Sequence, residues 1–259
     1  MIPASLDGMR RLEIGGGIVE ATSARGTRLI LPPKASGYAD SQVDDTAALP
    51  RSQFRWRPPL RLQLRARASH SSPTGTLGFG FWNDPFAVSL GQGGAARRLP
   101  VGPRALWFFY ASPPADLRFT PGIAGAGWKA MQLTTRPIPA AALYALAPAA
   151  ILLAQLPSLR APVMRNALAR VQAAEASLPS DLSLWHSYEI EWRPEEAVFR
   201  LDGQVQLRAA FPLPGPLGFV AWIDNQYATA TPEHGFRFGT LATAEPQWLE
   251  IEELTLSSL

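Results

Sequence analysis

The sequence predicts an all-β protein: an antiparallel β-sandwich of the jelly-roll type, interrupted once by an apolar helical insertion. Three observations carry this. Apolar and polar residues alternate with period two in short, recurring segments. Those segments are bounded by Gly and Pro, 21 and 25 residues respectively, spread along the chain without a period. A content of 47% hydrophobic residues over a length of 259 is enough to fill one core, so residues 1–259 read as a single domain.

In chain order the strands are Ile18 to Ala21, Arg28 to Leu31, Leu60 to Ala68, Leu77 to Asn83, Ala105 to Ala111, Trp128 to Thr134, His186 to Trp192, Ala197 to Leu201, Val205 to Phe211, Leu217 to Ile223 and Trp248 to Leu256. Asp202-Gly203 makes a tight hairpin turn, because both positions need positive φ and these residue types tolerate it. Arg61, Gln63, Arg65 and Arg67 alternate with Leu62, Leu64, Ala66 and Ala68, so that strand has one wet side and one core side. Glu189 and Glu191 alternate likewise with Tyr188, Ile190 and Trp192; the two carboxylates resemble a catalytic pair on paper, but the pattern assigns them to the solvated side.

Pro137 to Leu159 carries no charged residue. Ala140 to Gln155 reads as a helix with Pro139 at its first turn. A second helix, about Pro162 to Leu178, places Val163, Met164, Ala167, Leu168, Val171 and Leu178 on one stripe. Residues 138–178 would then form a helical hairpin with apolar faces to cover. Pro148 interrupts the first helix, and one crossing would put the halves of a sandwich on opposite sides of a bilayer, which argues against a membrane span. The cover expected is the sandwich itself, a second copy of the chain or a membrane surface.

The formal charge is +3, with basic residues scattered singly and Lys34 and Lys129 the only lysines, so nucleic acid is not an expected partner. Without cysteine there is neither a disulfide framework nor a thiolate metal site. Met1 to Glu20 carries Asp7, Arg10, Arg11 and Glu13 and no apolar run, which points to a cytoplasmic protein without a secretory signal. His70, His186 and His234 are isolated, and Gly15-Gly16-Gly17 has no following Lys-Ser/Thr, so neither a zinc site nor a phosphate loop is expected. No cofactor is implied.

The most informative feature is an internal echo, Leu77-Gly78-Phe79-x-x-Trp82-x-Asp84 against Leu217-Gly218-Phe219-x-x-Trp222-x-Asp224. Strand alternation puts each Trp on the same face as its Asp. If the segments are neighbours in one sheet, two Trp and two Asp would converge, flanked by Asn83 and Asn225. An indole beside a carboxylate suits a sugar, the ring packing on pyranose C–H groups while the carboxylate accepts from hydroxyls. Equally, both Asp could start turns and both Trp could be core. A second acidic cluster, Tyr38 to Asp45, reads first as a solvated loop; if extended it would line up Tyr38, Asp40, Gln42 and Asp44, a row able to hold hydroxyls or a hard cation such as Ca²⁺, though its spacing does not match an EF-hand loop.

Trp185-His186-Ser187-Tyr188-Glu189-Ile190-Glu191-Trp192-Arg193-Pro194, followed by Val198-Phe199-Arg200-Leu201-Asp202-Gly203, resembles a strand pair of concanavalin A-like lectin/glucanase domains, especially glycoside hydrolase family 16. Trp248 to Leu254 resembles the closing strand of such domains. The resemblance implies a jelly roll with a concave ligand-binding sheet. That family's catalytic Glu-x-Asp-x-Glu or Glu-x-Asp-x-x-Glu strand does not occur in this sequence. The expectation is therefore a carbohydrate- or glycoside-binding β-sandwich, probed through Trp82, Trp222, Asn83, Asn225, Tyr38, Gln42 and Asp44. The alternatives are a divergent glycoside hydrolase using Asp84 and Asp224, or either with Asp44, and a binder of an apolar ligand or membrane surface through residues 138–178, a segment that could also mediate self-association.

Overall fold

The computed structural model describes residues 2–3, 8–23, 25–46, 49–85, 101–137 and 156–259. Its strands are β1 (Ile2–Pro3), β2 (Arg10–Ile14), β3 (Ile18–Ser23), β4 (Gly26–Leu31), β5 (Asp40–Asp44), β6 (Leu60–Ala68), β7 (Thr76–Trp82), β8 (Arg104–Ala111), β9 (Gly127–Thr135), β10 (Val171–Ser177), β11 (His186–Trp192), β12 (Ala197–Leu201), β13 (Gln204–Ala209), β14 (Gly218–Asp224), β15 (Gln226–Thr231), β16 (Gly235–Thr240) and β17 (Gln247–Ser257). The helix α1 (Pro157–Leu168) is the one α-helix among the described residues. One antiparallel sheet runs β13-β12-β11-β6-β17-β4-β3 with β1 on β17; the other runs β10-β9-β8-β7-β14-β5-β2; β15 and β16 form a separate hairpin. The two large sheets pack face to face as a β-sandwich of jelly-roll type.

Every strand the alternation predicts is present, because side-chain direction along a strand is a local property. Leu62, Leu64, Ala66 and Ala68 are buried while the arginines between them are not. Across the sandwich Phe79 meets Tyr188 at 5.0 Å, Phe108 meets Phe199 at 5.6 Å and Phe81 meets Trp192 at 5.6 Å between ring centroids. Asp202 and Gly203 adopt φ of 49° and 77°, as their turn requires. Glu191 is bound by Arg61 at 3.0 Å, Arg193 at 2.6 Å and Arg200 at 3.2 Å, and Glu189 by Arg200 at 2.8 Å, so these carboxylates belong to an ion-pair ladder on the outer face of the eight-stranded sheet.

The helical hairpin needs correction. Its first arm, 140–155, lies outside the described residues. Its second arm does not continue to Leu178: α1 begins with Pro157 at its first turn and ends at Leu168, and Val171–Ser177 is β10, paired with β9 in register from Val171 opposite Thr135 to Ser177 opposite Lys129. Helix-favouring Ala, Gln and Glu are overridden by backbone pairing to a sheet edge and by a buried ion pair. Lys129 Nζ contacts Glu175 Oε1 at 3.1 Å, and Glu175 Oε2 accepts the backbone N–H groups of Phe119 and Thr120 at 3.0 and 2.7 Å. No helix among the described residues is long and apolar enough to cross a membrane.

Candidate functional site

The two halves of the echo are neighbours, β7 and β14, and they run antiparallel. Each Trp therefore lies opposite the other segment's Gly: Trp82 faces Gly218 and Trp222 faces Gly78. Gly78 is needed there, since a Cβ would come within 2.8 Å of the Trp222 ring. Both indoles stand on the outer face of the seven-stranded sheet, away from the main core. Trp107 of β8 sits between them, opposite Gly80, with ring centroids 6.2 Å from Trp82 and 5.2 Å from Trp222. Phe109 extends the row, 5.6 Å from Trp107 and 6.0 Å from Trp222. Trp82 and Trp107 are half-buried, yet their enclosed indole N–H groups have no acceptor among the described residues.

The same antiparallel geometry drives the echoed aspartates apart. Asp224 lies opposite Thr76, eight residues before Asp84, a span on the order of 25 Å at strand rise. Asp84 and Asp224 thus end opposite edges of the face and form no acid/base pair. Asp84 turns the chain at φ 45°, and its carbonyl accepts Arg51 Nη2 at 2.5 Å. Asp44 does not join either of them as a free acid: it is bound by Arg10 Nη2 at 2.6 Å, Thr46 Oγ1 at 2.6 Å and Gln42 Nε2 at 3.0 Å. Burial pushes its carboxyl up, but Arg10 and Thr46 outweigh this and hold it below the usual range.

The partner of Asp224 is Asp40, directly opposite on β5. Both are buried, at 8% and 3% exposure. Thr76 Oγ1 donates to Asp224 Oδ1 at 2.7 Å and itself accepts the Trp222 indole N–H at 2.9 Å, so the carboxylate is wired to the aromatic row. Burial raises the Asp224 carboxyl to about 6. Asp40 is raised well above the ordinary range, by burial and then by the charge of Asp224, against a hydrogen bond from Tyr38 that lowers it. Asp40 Oδ1 is enclosed and receives no hydrogen bond from the described residues. Tyr38, half-buried beside this pair, has its phenol raised by burial and by the two aspartates.

Asn83 and Asn225, expected as ligand contacts, are spent on the backbone. Asn225 Oδ1 accepts Ala39 N–H at 2.8 Å, and its Nδ2 donates to Gly37 O at 2.9 Å and Leu241 O at 2.8 Å. Asn83 Nδ2 donates to Gly102 O at 2.9 Å and its Oδ1 accepts Arg104 N–H at 2.9 Å. Trp107 escaped sequence reading because it belongs to no echo, although alternation along Ala105 to Ala111 already sets it opposite in direction to Leu106 and Phe108. Among the described residues no group of three His, Cys, Asp or Glu side chains could hold a metal ion.

No protein-family model and no curated protein matches this chain. Its structural neighbours include glycoside hydrolase family 16 glucanases. The family 16 endo-glucanase from Bacteroides ovatus is 10% identical, over 93% of this chain and 85% of that one, with a TM-score of 0.48. The β-glucanase of Bacillus licheniformis is 12% identical over 98% and 94% of the two chains, with a TM-score of 0.45. A functionally unknown protein from Saccharomyces cerevisiae is 7% identical over 99% of both chains, with a TM-score of 0.44.

Proposed function

We propose that this protein binds a carbohydrate or a glycoside on the outer face of its seven-stranded sheet. One observation carries the reading: Trp82, Trp107 and Trp222 form a continuous indole row, two of whose N–H groups lack an acceptor among the described residues, next to strands that carry Asp224, Asp40 and Gln42. Indole faces pack on the C–H surface of a pyranose, while carboxyl and amide groups take its hydroxyls. Titrating gluco-oligosaccharides against the intrinsic Trp fluorescence should give saturable binding, weakened at least tenfold in Trp107→Ala and Trp222→Ala. Equal binding by the double variant, at intact fold, would sink the reading.

A second reading, hydrolysis of a glycoside, is favoured by the Asp40–Asp224 opposition. Directly opposed cross-strand residues have Cβ atoms about 4.5–5.5 Å apart, comparable with the ~5–5.5 Å between carboxyl groups of retaining glycosidases. On this reading Asp40, the more strongly raised of the two, is the acid. Release of reducing sugar should vanish in Asp40→Asn and Asp224→Asn; turnover that survives both excludes the pair.

A further inference from the structure

Asp40 and Asp224 are directly opposed across β5 and β14, so their side chains leave the same face of the sheet with Cβ atoms about 4.5–5.5 Å apart. Both are buried, at 3% and 8% exposure. Two carboxylates so close, and out of water, keep both charges only where cations or hydrogen-bond donors offset them. The surroundings supply too few. On β2, Ile14 lies opposite Asp40, and Arg10, whose charge favours an ionised Asp40, is committed to Asp44 at 2.6 Å. Asp44, further along β5, adds like charge. On β7, Thr76 Oγ1 donates to Asp224 Oδ1 at 2.7 Å, where the Gln226 backbone N–H joins it at 3.0 Å. Tyr38 donates to Asp40 from the chain before β5.

Two donors thus gather on one oxygen of Asp224, while Asp40 Oδ1 receives none among the described residues. An ionised oxygen enclosed in that way is costly, whereas a protonated carboxyl can itself donate, and Asp224 opposite is an acceptor. Burial and the charge of Asp224 both raise the Asp40 carboxyl, in keeping with this geometry. The pair also sits where it governs an edge. β2 pairs with β5 and β5 with β14, so separation of Asp40 from Asp224 would release both outer strands together.

We propose that Asp40 holds a proton at neutral pH and shares it with Asp224, and that this single proton is a latch keeping β5 and β2 on the edge of β14. Opening puts Asp40 in water, where it gives the proton up; closing requires it to take the proton back. Rising pH therefore loosens the side of the indole face that carries Gln42. The latch needs no ligand, so its failure and that of the carbohydrate reading are told apart.

The test follows amide hydrogen exchange of the full chain as pH is raised above about 6, where Asp224 is ionised. Each pH unit accelerates exchange about tenfold through hydroxide catalysis, and an opening that must release one proton adds about tenfold more by linkage. Amides of β5 and β2 should therefore speed up about a hundredfold per pH unit in the wild type, but only about tenfold in Asp40→Asn, which keeps the shape and has no proton to release. Amides of β13, an edge of the other sheet, should show the shallower dependence in both proteins. Equal dependence of β5 and β2 on pH in wild type and variant overturns the latch. A second measurement needs no variant and decides the matter should Asp40→Asn fail to fold: the carbon-13 signal of the Asp40 carboxyl in the wild type should sit at its protonated position at neutral pH. Finding it at the ionised position overturns the proposal.

Discussion

Asn225 ties three separate stretches of chain with one side chain. It joins Ala39 before β5, Gly37 in the preceding loop and Leu241 after β16, and it is fully buried while doing so. Asn225→Ala would strand one N–H and two carbonyls, at a cost on the order of 3 kcal/mol; chemical denaturation should show it as a lower midpoint with an unchanged slope. Gly78 is equally constrained. An added Cβ meets the Phe108 carbonyl oxygen at 2.5 Å and the Trp222 ring at 2.8 Å, so Gly78→Ala should destabilise by about 2 kcal/mol and shift the Trp emission maximum. A stable Gly78→Ala variant with unchanged emission would contradict the packing of Trp222 across this strand.

At the scale of elements, the edge of the seven-stranded sheet depends on a buried charge pair. Lys129 of β9 and Glu175 of β10 have side chains 1% and 0% exposed, and between them they hold Leu117, Phe119 and Thr120 through backbone groups. Removing one partner leaves an uncompensated buried charge, which costs about 3–5 kcal/mol, whereas replacing both by apolar residues costs much less. Lys129→Met and Glu175→Met should therefore each destabilise strongly and expose the segment around Leu117 to proteolysis, and the double variant should recover much of the loss. Additive effects in that double-mutant cycle would show that the pair is not coupled.

For the whole molecule, the buried carboxyls set a dependence on pH. Asp224 is raised to about 6 by burial, and so is Asp45, whose burial outweighs hydrogen bonds from the Trp56 indole and the Phe219 backbone. A carboxyl whose folded pKa exceeds its unfolded one binds protons better in the folded state, so its contribution is full below the unfolded value near 4 and is lost as pH rises toward about 6. Asp44, Glu191 and Glu250 behave oppositely: burial raises them, their arginine partners lower them further, and their contribution disappears as pH falls below the usual carboxylate range. Thermal stability should accordingly peak in mildly acidic solution and decline between about pH 4 and 6, with Asp224→Asn reducing that decline by on the order of 2 kcal/mol. A melting temperature that rises steadily through this window would refute the assignment.

Alternation along each strand determined, from sequence alone, which residues enter the core and that Trp222 shares a face with Asp224, because side-chain direction is fixed by the chain's own two-residue pitch; Asp84 lies beyond β7 in a turn at φ 45°, where that pitch no longer sets its direction. Local polarity concealed β5, which is a strand because β14 and β2 pair with it on either side and Arg10 of β2 takes the charge of Asp44. It likewise concealed β10, which is a strand because β9 offers it an edge. Which aspartates meet was settled only by tertiary pairing. The antiparallel sense of β7 and β14 set Asp84 and Asp224 at opposite ends, and the placement of β5 beside β14 gave Asp224 a partner in Asp40. Strand order joins residues far apart in the chain through backbone hydrogen bonds that no local periodicity encodes, and that order made the indole row and the carboxyl pair a single face.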